Sequence, residues 1–210
     1  MEVFTYYRST SSYRVRIALA LKGLDYQAVP VNLLKGEQRA AAFLAINPQG
    51  RVPALRTDDG LLLVQSSAII EYLDEAYPHP ALLPNSAEQR ATVRGVAAAI
   101  GCDIHPLHNV SVLNQLRQLG HDEAQVSQWI GHWIGQGLAA VEQLIGDRGF
   151  CLGGTPGLAD LYLVPQVYAA ERFNVDLSGY PRILRVATLA AQHPAFVQAH
   201  PAHQPDTPVQ

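Results

Sequence analysis

The spacing of hydrophobic and polar positions changes character along the chain. Residues 3–7 form a short β-branched and aromatic run, and the polar stretch RSTSSYR follows as a turn. Residues 14–22 read as a helix, with Gly23 standing just past its end, where a left-handed residue closes helices. Residues 26–31 predict a second strand. Residues 38–46 predict an amphipathic helix that stops before Asn47-Pro48, because a residue preceding proline is pushed out of the helical region. Residues 52–57 and 61–64 predict strands around Asp58-Asp59-Gly60, a hairpin signal, and residues 66–77 a helix ended by Pro78. The order is β-α-β, then α, then β-β-α. Beyond it PHPALLPNS reads as a proline-rich linker, and the pattern turns helical over 89–100, 110–119, 123–145 and 158–172. The expectation is an α/β domain over residues 1–80 and an all-helical domain over 87–210, with HPAHQPDTPVQ as a surface tail.

Composition narrows the function classes. Of 210 residues, 48% are hydrophobic, enough for a sizeable core, and the formal net charge of −3 gives no basic face for nucleic acid. No apolar run approaches the ~20 residues of a membrane helix. The opening MEVFTYYRS lacks the pattern of a signal peptide. Two distant cysteines, Cys102 and Cys151, make no disulfide framework, and both read as buried or inert thiols. The expected compartment is the reducing cytoplasm.

Candidate chemistry lies in three short stretches. Ser9-Thr10-Ser11-Ser12 stands between a strand and a helix, where free backbone N–H groups bind anions. Hydroxyls occupy the place where thioredoxin-like redox proteins carry Cys-x-x-Cys, so the turn can hold a thiolate brought by a ligand but cannot run dithiol chemistry. Asn47-Pro48-Gln49-Gly50-Arg51-Val52-Pro53 puts Val-Pro at the start of a strand. A proline there is often cis, leaving Val52's backbone groups open to an extended peptide. Gln65-Ser66-Ser67 begins a second helix, with a hydroxyl expected at its cap and a seat for a carboxylate. Each stretch alone is also explained by helix capping or an edge-strand proline. Their order and spacing together are the signal.

With these stretches, and with HPLHNVSVL, LADLYLVPQV, ERFNVDLSGYP and QPDTP, the chain resembles the zeta class of glutathione transferases, the maleylacetoacetate isomerases, over nearly its whole length. The resemblance implies a thioredoxin-like N-terminal domain, an all-α C-terminal domain, glutathione as cofactor and a homodimer. Ser9 matches the thiolate-binding serine. Thr10 stands where a second serine is usual, and Ser11 where a cysteine is usual. Val52 and Pro53 match the residues that meet the cysteinyl unit. Gln65 and Ser66 match the γ-glutamyl binders, with Gln49 nearby. Gly157 replaces the usual Ser or Thr cap of the helix holding Asp160, which implies some loss of local stability.

The implied reaction adds glutathione thiolate to a cis alkene, allows rotation in the enolate, and expels the thiol to leave the trans isomer. Its substrate is a dicarboxylate, so cations are needed: Arg8 beside the turn, and Arg172, matching the family's Ala-Glu-Arg-Phe stretch. His105 and Asn109 are expected to line the substrate site or brace a helix start. His105 and His108 have a spacing seen in metal sites but no evident third ligand, so no metal is expected. Arg14 and Arg16 read as structural, and Trp129 and Trp133, four residues apart, as core. The leading activity is maleylacetoacetate isomerisation in aromatic amino-acid breakdown. The alternatives are maleylpyruvate isomerisation in gentisate breakdown and conjugation of glutathione to small electrophiles such as haloacids. Val110-Ser111 after the HPLHN stretch, where arginines would mark the maleylpyruvate enzymes, favours the first.

Overall fold

The computed structural model describes residues 1–208. It divides into two compact units, Met1–Ala81 together with the chain from Gln192 onward, and Leu82–Ala191.

The first unit is built on a four-stranded sheet in the order β2-β1-β3-β4. Its strands are β1 (Glu2–Thr5), β2 (Gln27–Pro30), β3 (Ala54–Arg56) and β4 (Leu62–Val64). The β1–β2 pair is parallel, in register Phe4 with Val29, and is joined through α1 (Thr10–Leu21). The β1–β3 pair is antiparallel, with Phe4 opposite Ala54, and so is β3–β4, with Ala54 opposite Val64. The β-α-β and β-β-α order is as predicted, and the sheet is the thioredoxin-like arrangement that the family resemblance implies. Phe4, Tyr6, Val31, Phe43, Val52 and Ala54 form one apolar cluster, to which Val29, Leu33, Ile46 and Val64 add.

Three local expectations change. Helix α1 begins at Thr10, four residues before the periodic run, because Ser9 supplies its N-cap. The predicted helix over 38–46 breaks into a 3-10 turn (Glu37–Arg39) and a short α2 (Ala41–Leu44), since Ala40 between them is extended at ψ 143°. The expected surface tail belongs to the first unit. Helix α9 (Pro194–Ala199) packs on α1, and the 3-10 turn Pro201–His203 and buried Gln204 follow it. This packing also departs from the expected 87–210 boundary. The physical reason is Arg16, whose buried guanidinium bonds the Ala199 carbonyl at 3.0 Å and ties the tail to α1.

The second unit is helical: α4 (Ala87–Ala98), α5 (Val110–Gln118), α6 (Glu123–Leu144), α7 (Leu158–Arg172) and α8 (Pro181–Gln192). Helix α6 carries a full capping box, Asp122 and Gln125 each bonding the other's backbone N–H. Glu142 is buried and accepts the N–H groups of Arg182 and Ile183 at 2.9 and 3.0 Å, satisfying donors at the start of α8 from another helix. At Gly157 the departure from the family pattern has a steric partner. A Cβ there would stand 3.0 Å from the Leu82 carbonyl oxygen, which itself accepts the Leu158 N–H. Asp160 still accepts the N–H groups of Gly157 and Cys151 at 2.9 and 2.8 Å.

Between α4 and α5 the backbone widens into a π-helical turn, Ala99–Ile104, followed by a 3-10 turn, His105–His108. Ile104, almost fully buried, fills the space over Gly137 of α6, where a Cβ would fall 2.2 Å from its Cγ1. Because both atoms sit in packed surroundings, Gly137→Ala is expected to destabilise by about 1–3 kcal/mol, the usual range for overpacking. A thermal or urea unfolding midpoint equal to the parent's would contradict the packing.

Candidate active site

The strand register sets the geometry of the site. Strands β1 and β4 both run antiparallel to β3, so the C-terminal ends of β1 and β4 and the N-terminal end of β3 share one end of the sheet. The Ser9 turn follows β1, Val52-Pro53 precedes β3, and Gln65-Ser66 follows β4. Three stretches far apart in sequence are thereby brought to one edge, outside strand ends where α/β folds commonly bind ligands.

At the first stretch, Ser9 Oγ accepts the Ser12 N–H at 3.3 Å, which leaves its own proton for an outside acceptor. The N-terminal dipole of a 12-residue helix lies behind it. Thr10 and Ser12 are buried, whereas Ser9 and Ser11 keep exposed surface. Of the hydroxyls read from sequence, Ser9 and Ser11 therefore face outward and Thr10 does not. Arg8 lies 6.0 Å from the Tyr6 ring centroid and is half-buried.

At the second stretch the Val52-Pro53 bond is cis. The Val52 side chain is in the apolar cluster, and among the described residues neither its N–H nor its C=O has a hydrogen-bond partner. Buried Asn47 shapes the preceding loop, donating to the Arg51 carbonyl at 2.6 Å and accepting the Gln49 N–H at 3.0 Å.

At the third stretch the cap differs from the expectation. Gln65, not a serine, is the N-cap residue of α3 (Ser66–Ala76), and its side chain makes no capping bond. Its φ of 71° lies in a region that non-glycine side chains rarely adopt, a form of strain concentrated at ligand sites. Its amide donates to Gln49 at 2.7 Å, which joins the second and third stretches. Ser66 is buried at the first helical position, and its Oγ lies 3.5 Å from Arg14.

The second unit gathers its own candidates. His105 and His108 are buried, with ring centroids 5.2 Å apart. His108 meets the Gln166 amide at 3.1 Å and the Phe173 ring at 5.6 Å, and the Arg172 guanidinium lies 4.5 Å over that same ring. Asn109 is the N-cap of α5 but makes no side-chain cap. Among the described residues no group of three or more His, Cys, Asp or Glu could hold a metal ion. Trp129 and Trp133 are half-buried rather than core, stacked edge-on at 5.6 Å, and the Trp129 indole donates to Leu107 at 2.8 Å. Cys151 is buried, its thiol pushed up by burial and by Asp160, whereas Cys102 is exposed. Gln166 and the tail residue Asp206 reach their partners, His108 and the Tyr7 N–H, only through tertiary contacts that no local sequence signal announces.

A thioredoxin-like sheet domain with a hydroxyl-capped helix in place of a dithiol, joined to an all-helical domain, defines the glutathione transferase class. Models described as the glutathione S-transferase N-terminal and C-terminal domains match residues 8–76 and 123–196. The chain is 73% identical to a maleylacetoacetate isomerase of Pseudomonas aeruginosa over 99% of both chains. A holo structure of maleylpyruvate isomerase, a zeta-class bacterial glutathione transferase, superposes with a TM-score of 0.96 at 48% identity, over 99% of this chain and 100% of that one. A maleylacetoacetate isomerase from Anaeromyxobacter dehalogenans, holding dicarboxyethyl glutathione and citrate in its active site, gives a TM-score of 0.90 at 44% identity over 99% and 97%. The chain belongs to the zeta-class glutathione transferases, the family of the maleylacetoacetate isomerases.

Proposed function

We propose that this chain is a glutathione-dependent cis–trans isomerase that converts maleylacetoacetate to fumarylacetoacetate. The observation that carries the reading is the convergence of the Ser9 turn, Val52-Pro53 and Gln65-Ser66 at one sheet end, with hydroxyls and no cysteine at the helix N-terminus. Glutathione is the cofactor, consumed and regenerated in each turnover. Ser9 donates to its thiolate, with Ser11 beside it and Thr10 supporting the helix start. Val52 offers N–H and C=O to the cysteinyl unit ahead of Pro53, and Gln49, Gln65 and Ser66 receive the γ-glutamyl end. The enzyme acts as a homodimer in the cytoplasm.

The chemistry follows from charge. Addition of the thiolate to one alkene carbon moves a pair of electrons into an enolate, the former double bond rotates, and collapse of the enolate expels the thiolate. A second reading, maleylpyruvate isomerisation, uses the same steps on another cis diacid and is supported by the 48% identical relative. Conjugation to haloacids starts from the same thiolate but keeps the sulfur on the product. Purified protein with glutathione is therefore to be given maleylacetoacetate, maleylpyruvate and a haloacid. Fastest isomerisation of the first supports the proposal, and a faster second or third substrate replaces it.

The diacid requires cations, because unpaired charge leaving water is costly. We assign Arg8 to the carboxylate or enolate next to the sulfur, and Arg172 to the far carboxylate, with His105 and Asn109 as further substrate contacts. Arg8→Ala is expected to lower kcat by about 10²-fold, the scale for removing one donor from developing charge. Arg172→Ala is expected mainly to raise KM, since its contact is similar in ground and transition states. Steady-state kinetics with parent values in both variants would move the diacid site to His105, Asn109 or Arg51.

A further inference from the structure

The turn that carries Ser9 is held from below by a segment nearly 200 residues further along the chain. The Tyr7 N–H donates to the Asp206 carboxylate at 2.8 Å, across a sequence separation of 199 residues. The Tyr7 carbonyl accepts from Arg16 at 2.8 Å, and the Tyr6 carbonyl accepts both the Ser9 N–H at 3.0 Å and Arg16 at 3.4 Å. The backbone polar groups from the Tyr6 carbonyl to the Tyr7 carbonyl are thus fixed by two side chains, Arg16 and Asp206. Arg16 acts from within α1, but Asp206 acts from the tail. The tail is itself closed. Gln204 donates to the carbonyls of Gln198 and His200, each at 3.0 Å, and the Thr207 hydroxyl donates to the Pro201 carbonyl at 2.5 Å. Asp206 therefore sits on a folded loop rather than a loose end, and its second oxygen, Oδ1, is buried.

We infer that Asp206 is a positioning residue for the glutathione thiolate: by holding the Tyr7 peptide it fixes the direction from which Ser9 approaches the sulfur. This rests on the reading of Ser9 as the thiolate donor. A misplacement of one ångström in such a group costs up to about 10²-fold in rate. A carboxylate near a thiolate also acts through its charge, and the two roles predict opposite signs. Loss of positioning raises the bound thiol's pKa, because the hydroxyl donor aligns less well. Loss of a nearby negative charge lowers it.

The test is the ultraviolet absorbance of the thiolate of bound glutathione, titrated over pH in the full-length protein, with kcat measured alongside. Asp206→Ala is expected to raise the ionisation midpoint by about one unit, which leaves roughly threefold less thiolate at neutral pH. Its kcat at neutral pH should fall to match and recover at higher pH, while KM for the diacid changes less. Asp206→Asn keeps an acceptor for the Tyr7 N–H and should stay near the parent midpoint. Where Asp206→Ala does not fold, Thr207→Val carries the test. It loosens the loop while keeping the charge, and it too should raise the midpoint. A parent or lowered midpoint in Asp206→Ala, an Asp206→Asn variant as impaired as the alanine one, or a parent midpoint in Thr207→Val overturns the inference. Ser9→Ala is the control for the reading beneath it. If Ser9→Ala leaves the midpoint unmoved, the thiolate assignment fails; if it raises the midpoint and Asp206→Ala does not, only the inference fails.

Discussion

Protein freed of thiols by dialysis and gel filtration is expected to isomerise maleylacetoacetate no faster than buffer, and glutathione restores full turnover. The reason lies in which nucleophiles the chain owns. The Ser9 to Ser12 turn contains no cysteine. Cys151 is fully buried, and its thiol is pushed far up by burial and by the adjacent Asp160, so it supplies no thiolate. Cys102 is exposed but lies in the second unit, away from any helix N-terminus, within the π-helical turn. Glutathione in water is itself a poor nucleophile at neutral pH, since a thiol of pKa ~8.5 is only about 3% ionised. A shift of ~2 units needs about 2.7 kcal/mol. The N-terminus of α1 contributes up to about 1–2 kcal/mol, and a hydroxyl donor to an anion about 1.5–3 kcal/mol. Under the proposed assignment, Ser9 and the helix together reach the required amount with no ionised base. Monitoring maleylacetoacetate loss with and without glutathione decides the matter. Turnover by the thiol-free protein would require a protein nucleophile and remove the proposed mechanism, and Cys102→Ser would then identify or exclude the exposed thiol.

The parts of the site that sequence reveals are those whose chemistry is local. A serine cluster between a strand and a helix, a Val-Pro at a strand start and a Gln-Ser-Ser at a helix start each announce themselves within a few residues, and the β-α-β and β-β-α order places them at one sheet end. Helix α7 is also legible, since its periodic run from Leu158 to Arg172 matches its bounds. The features that sequence does not specify depend on distant partners. Arg16 reads as structural, but nothing near it in sequence shows that Thr5, Tyr7 and Ala199 surround it. The tail reads as surface, yet Pro201 stands at the first position of a helical turn that His200 caps, and just before the tail Pro194 and His193 do the same for α9. Proline at a helix start was the local signal that could have found α8 and α9. The bland stretch before His105 carries no local signal of its π turn, whose last residue, Ile104, packs over Gly137 of a distant helix.

Replacing Arg16 with leucine is expected to cost about 3 kcal/mol of stability and to release the tail first. The guanidinium is fully buried, and it lies 5.4 Å from the Tyr13 ring centroid. Its Nε and Nη2 bond the carbonyls of Ala199 and Tyr7 at 3.0 and 2.8 Å, and Nη1 reaches the Thr5 hydroxyl at 3.1 Å. Leucine fills part of the volume but donates nothing. Two carbonyls, one buried and one partly buried, then lose their partner, at about 1–3 kcal/mol for each fully buried group. Against a typical total of about 5–15 kcal/mol, that is a large fraction. The chain has an escape that limits the cost: α9 and the following loop can detach so that water reaches the Ala199 carbonyl. Hydrogen exchange should therefore show residues 192–208 losing protection before the sheet does, and the urea midpoint should fall. Arg16→Lys keeps a cation in place but lacks the planar fork, so it cannot reach acceptors on three sides at once and should restore only part of the loss. Uniform loss of protection across the first unit would mean that the tail and the sheet unfold as one piece. An unchanged urea midpoint in Arg16→Leu would mean that the hub contributes nothing to holding the chain's end against α1.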